Sequence, residues 1–169
     1  MMANWITKYL PSGPAALLFT AVGFGLGQYL PAYIEYANEQ RVEVASLIDQ
    51  VSAKSDDLET TIRPLMLVAG DVVPASDEPR KSLDDKMLAL FQTLEMVKSK
   101  LPASENERQA YVKAMRNLKD AASGLEGSLT GKRLVEAASA FKKARTDYEA
   151  RLDALEPSFV GAVFTNIFS

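Results

Sequence analysis

From Glu35 onward, apolar residues recur at alternating steps of four and three, and the spacing divides the chain into four stripes. The first holds Val44, Ile48, Val51, Leu58, Ile62 and Leu65, with Ser55 standing where an apolar residue is due. The second follows PASDEPRKS; it holds Leu83, Met87, Leu90, Leu94, Val97 and Leu101 and stops at Pro102. The third holds Tyr111, Met115, Leu118, Ala122 and Leu125, ending among Gly124 and Gly127. The fourth holds Leu134, Ala138, Phe141, Ala144, Tyr148, Leu152 and Leu155 and closes at Pro157. Such steps gather residues on one side of an α-helix, whereas a strand would alternate at every second residue, a pattern no segment sustains. Each stripe is a narrow seam that needs a facing helix. Four of them with short links predict an all-α, up-down-up-down four-helix bundle over residues 35–157.

Local signals refine the ends. SENE (104–107) has the form of a capping box, Ser104 as N-cap with Glu107 three residues on. SLTGK (128–132) reads as the turn before the fourth helix. Arg63-Pro64 predicts a kink or stop at the tip of the first, because proline removes a backbone donor and crowds the preceding turn. The stretch 66–80 blurs the pattern and is expected to hold a short extra turn.

Upstream the pattern changes. No charge occurs between Lys8 and Glu35, and the core of that run, Pro14 to Ile34, is 21 residues long. As a helix it would measure roughly 30 Å, the thickness of a bilayer's hydrocarbon. Trp5 and Tyr9 flank one end, and Tyr29, Tyr33 and Tyr36 the other, where amphipathic rings favour lipid headgroups. The expected organisation is an interfacial segment (1–13), a transmembrane helix (14–34), the bundle (35–157) and an apolar tail (158–169). A buried soluble helix and a cleaved secretory signal compete with this reading; the signal would have only Lys8 as its basic region. Lys8 on one side against Arg41 and Lys54 on the other nearly balance the positive-inside rule. The expected location is a bacterial inner membrane, N-terminus inside and bundle on the periplasmic side.

Within the run, Gly23 and Gly27 lie four apart, with Ala21 and Gly25 interleaved as further small residues. On a spanning helix such residues let backbones approach closely, so this face is the expected helix–helix interface, with other membrane subunits or with itself. It is not a dinucleotide loop: the third glycine is missing and no strand precedes it. The topology also returns the tail to the membrane. Its twelve uncharged residues carry Phe159, Val160, Val163, Phe164, Ile167 and Phe168. At roughly 18 Å as a helix it is too short to span, which leaves attachment to lipid, to a partner or to its own bundle.

Composition narrows the chemistry. The chain has no histidine, which removes His-dependent acid–base catalysis, Ser-His-Asp triads and the usual nitrogen ligand for zinc or iron. It has no cysteine, so neither disulfides nor thiol chemistry arise. A net charge of −3 gives no basic footprint for nucleic acid. Asp56-Asp57 and Asp84-Asp85 lack the odd spacing and sharp-turn glycine of a calcium loop and read as solvated helix faces. GKRL (131–134) and FKKAR (141–145) read the same way. No catalytic residue, cofactor, metal or small-molecule substrate is expected.

The stretch GQYLPAYIEYANEQRVEV (27–44) resembles the segment after the first membrane helix in a family of small uncharacterised bacterial membrane proteins. Gly27, Pro31, Tyr33, Ile34 and Glu35 match that family's pattern. The resemblance implies a bacterial anchored protein and carries no function; the family's members end in a second full membrane helix, which the tail here is too short to form. The architecture is also similar to the extracytoplasmic four-helix sensor modules of bacterial receptors. Two functions follow as expectations: an accessory subunit of a membrane complex that performs no catalysis, or a ligand-sensing bundle that works with a separate signalling partner.

Overall fold

The computed structural model describes residues 14–74 and 76–155, with side chains from Ile34 onward. Among the described residues four helices follow one another: α1 (Pro14–Ala69), α2 (Asp77–Lys100), α3 (Glu105–Ser123) and α4 (Ser128–Leu155), with a 3-10 turn at Pro102–Ser104 between α2 and α3. No strand occurs among the described residues. Residues Arg41–Pro157 form a compact unit of their own.

Pairings between helices fix the topology of that unit. Lys100 Nζ meets Glu43 at 2.7 Å and Lys86 Nζ meets Asp57 at 2.5 Å, so α2 runs antiparallel to α1. Asp84 with Lys119 and Glu95 with Arg108 set α3 antiparallel to α2. Arg151 donates to the Ala103 carbonyl, while Arg145 meets Asp56 and Glu59, so α4 lies between α3 and α1. The result is the up-down-up-down bundle that the four stripes predict. Its start near Glu43 and the end of α4 near Arg151 lie at the same end.

The core is built from the expected positions. Val51, Leu58, Leu65, Leu83, Leu90, Leu94, Leu118, Leu134 and Leu152 are all fully buried or nearly so. Each fully buried leucine contributes about 1.5–3 kcal/mol relative to exposure, and none of the four helices could bury its seam alone.

Three local expectations differ from the structure, each for a physical reason: the stop at Pro64, the side-chain cap at Ser104 and the turn at SLTGK. α1 does not stop at Pro64 but continues to Ala69. Pro64 and Thr60 are both on the exposed side, so the carbonyl freed by the missing N–H meets water, while Ile62, Leu65 and Val68 remain buried. Ser104 does not cap α3 with its side chain: the buried hydroxyl donates to the Leu101 carbonyl at 2.8 Å instead. SLTGK is not a turn but the first residues of α4, and Gly131 within it lies against the last turn of α1.

The turn after α1 also closes the far end of the bundle. Asp71 adopts a left-handed conformation, φ 57°, one that aspartate tolerates better than most residues. Its Oδ1 accepts the Ser128 N–H at 2.9 Å, satisfying a donor at the start of α4 that has no partner within its own helix. The carboxyl is held below its usual range, first by the Ser128 side chain and then by this backbone N–H. Arg80 reaches over from α2 to the Leu125 carbonyl at the same end.

Among the described residues no helix is long and apolar enough to cross a membrane. Of the run 14–34 the structure describes the backbone of α1 and, among side chains, that of Ile34 alone.

Candidate interaction site

Of the expected interfacial residues, Tyr36 alone has a described side chain, and it is 55% exposed. Ala21, Gly23, Gly25, Gly27, Tyr29 and Tyr33 lie on the helical backbone of α1 with no side-chain surroundings described. Trp5 and Tyr9 lie outside the described residues, as do Phe159, Val160, Val163, Phe164, Ile167 and Phe168. The bundle itself supplies the remaining geometry.

Its interior holds one polar contact on the diagonal between α1 and α3. Ser55 Oγ donates to the Val51 carbonyl at 2.6 Å and, with its proton so used, accepts from the Tyr111 hydroxyl at 2.8 Å. Tyr111 stacks obliquely on Phe141 (centroids 5.3 Å apart) and on Tyr148 (5.7 Å). Burial pushes the Tyr111 phenol up, with the Ser55 hydroxyl pulling the other way. Burial pushes Tyr148 up to about 12, Ser104 opposing. Both phenols therefore stay protonated at neutral pH and act as packing groups with a polar tip.

Two arginines knot the charged layer. Arg108, 7% exposed, forms a two-pronged contact with Glu105 at 2.7 and 2.8 Å and reaches Glu95 at 2.6 Å. Arg145, 12% exposed, collects Asp56 at 2.7 Å, Glu59 at 3.1 Å and Glu149 at 2.8 Å from two helices. Asp56-Asp57, read as a solvated face, thus divides: Asp56 goes to α4 and Asp57 to Lys86 on α2. No group of three or more potential metal ligands converges among the described residues.

The Arg108 knot carries a pH dependence. Hydrogen bonds from Arg108 and then Gln109 hold the Glu105 carboxyl down at about 2 against an ordinary 4.5. A carboxyl depressed in the folded state stabilises it above its ordinary value, and that contribution is lost as pH falls from about 4.5 towards 2. Denaturant midpoints measured across this window should fall with acid in the native chain and fall less steeply in Arg108→Met. Parallel slopes in the two proteins would remove Glu105 as the cause.

On the outside, an open groove of about 280 Å³ lies between α2 and α3. Met87, Leu88 and Phe91 from α2 and Val112 and Met115 from α3 make an apolar floor, with Asp84, Arg116 and Lys119 at its edges. Leu88 is 59% exposed, although it sits mid-helix. The heptad reading overlooks this surface because it follows only the residues that turn inward. Its one sequence signal is the charge order: between Glu107 and Asp120 every charged residue of α3 is basic. A further apolar group, Val72, Val73 and Leu129, is exposed at the Asp71 end.

No family model, curated protein or solved structure matches the chain.

Proposed function

We propose that this protein is an accessory subunit of a larger membrane complex, anchored by residues 14–34 and without catalytic activity, its bundle standing on the periplasmic side of a bacterial inner membrane. The observation that carries this is the charge-free run flanked by Trp5, Tyr9, Tyr29, Tyr33 and Tyr36 and followed on the same helix by the first stripe of the bundle. Ala21, Gly23, Gly25 and Gly27 provide the close-approach face within lipid, and Phe159 to Phe168 provide a second attachment. The filled seam at Ser55, Leu58, Tyr111 and Phe141 favours this reading over a ligand sensor, which needs a cavity with convergent polar groups inside the bundle.

The test is purification from native membranes in mild detergent. The native chain should resist alkaline extraction of the membrane and carry a co-purifying protein. Gly23→Leu/Gly27→Leu should keep its membrane association and helicity and lose that protein. Release of the native chain by alkali, or a native chain that purifies with no other protein, would count against the proposal.

A further inference from the structure

We propose that the outer face of α2 and α3 seats a second copy of this chain, the two bundles lying side by side and parallel about a two-fold axis along the helices. The bundle alone carries this pairing, whether or not residues 14–34 cross a membrane.

The apolar floor of the groove separates two edges of opposite sign. On α2 the charged residues between Lys81 and Lys98 are Asp84, Asp85, Lys86 and Glu95. Lys86 is drawn to α1 by Asp57, and Asp84 and Glu95 pair with Lys119 and Arg108 of the same chain, so Asp85 is the charge that α2 keeps for a partner. On α3 the charges lining the groove are Arg116 and Lys119, both basic, and Lys119 is taken by Asp84. Two-fold packing is self-complementary: what one copy presents, the other receives. An axis along the helices places α2 of each copy opposite α3 of the other, acid against base. An axis across the helices would place α2 on α2 and α3 on α3, bringing like charges together at a cost of several kcal/mol. The charge order therefore selects the parallel pair, which is also the arrangement two chains anchored in one bilayer require.

Register makes the contact specific. Asp84 is level with Lys119 (3.0 Å) and Glu95 with Arg108 (2.6 Å), so Arg116 is level with Met87 and Leu88. In the parallel pair Arg116 of one copy comes within a helical turn of Asp85 of the other. Neither residue forms an ion pair among the described residues. Leu88, exposed in the single chain, drops onto the apolar floor of the second, giving an apolar centre inside a charged rim.

The experiment measures self-association of the full-length chain in lipid nanodiscs or mild detergent, by sedimentation equilibrium. The native chain should dimerise. Arg116→Asp and Asp85→Arg should each weaken the dimer by at least about tenfold, since each places like charges across the contact twice. Both changes in one chain should restore it, and so should mixing the two single variants, whose mixed pair has acid facing base at both contacts. Both positions are exposed on helix surfaces, so helicity is retained. A monomeric native chain overturns the proposal, as do single reversals that leave the dimer intact. Loss of the dimer in Gly23→Leu/Gly27→Leu, with the charge reversals silent, assigns self-association to the membrane helix instead. Failure of alkaline retention with the dimer intact would sink the anchored reading and leave this one standing.

Discussion

Replacing Gly131 by valine is expected to cost the bundle about 3 kcal/mol, at the upper end of what overpacking does. A Cβ placed on Gly131 would lie 2.5 Å from the Ala69 carbonyl oxygen, 2.9 Å from its Cβ and 3.0 Å from its Cα. These are largely backbone atoms, so no side chain can swing aside. Relief requires the end of α1 to lift from α4, and that movement would strain the Asp71–Ser128 hydrogen bond two residues beyond. For a chain of this size the thermal midpoint should fall by roughly 6–12 °C. Gly124→Ala is the control, because a Cβ there meets only the Asp120 carbonyl at 3.7 Å. Equal midpoints for the native chain and Gly131→Val would mean that α1 and α4 are not seated this closely.

The second large effect belongs to Tyr111. Truncation to alanine removes a fully buried ring that touches Phe141 and Tyr148, at about 3–5 kcal/mol. The hydroxyl separates out by smaller changes. Ser55→Ala removes the acceptor and leaves a buried phenol unsatisfied, at about 1–3 kcal/mol. Tyr111→Phe costs less, because Ser55 keeps its bond to the Val51 carbonyl. The double variant should be more stable than Ser55→Ala alone, since it leaves no orphaned donor. Denaturant unfolding of the four proteins closes the cycle. Simple additivity would mean that the two hydroxyls do not interact.

Most of the bundle was legible because its core follows one rule. Leu83, Met87, Leu90, Leu94 and Val97 fall on one side of any helix that contains them, whatever its neighbours do, and all five are buried. Two of the misses have a different cause: they depend on what another helix presents. Ser55 looks like a break in its stripe until Tyr111, 56 residues later, arrives opposite it. Gly131 reads as a turn residue until Ala69 needs the room. Pro64 is tolerated because its side of α1 faces water, which the local sequence states only through the register of Ile62 and Leu65. The groove between α2 and α3 was half legible. The basic run on α3 is visible in the sequence, but its opposition to Asp84 and Glu95 requires knowing which turns lie level.

The Asp71–Ser128 hydrogen bond has a mechanical consequence. The bundle's two chain ends, near Glu43 and Arg151, leave from one end of it, and the hydrogen bond lies at the other. A pull applied between those ends would not shear the helices but peel α1 from α4 turn by turn. The peel would reach the Arg145 knot midway, then the tight seat of Gly131, and only last the aspartate that holds the start of α4. Residual tension would thus be borne by one short loop, and the load needed to open the bundle would rise at Arg145 and again near Gly131.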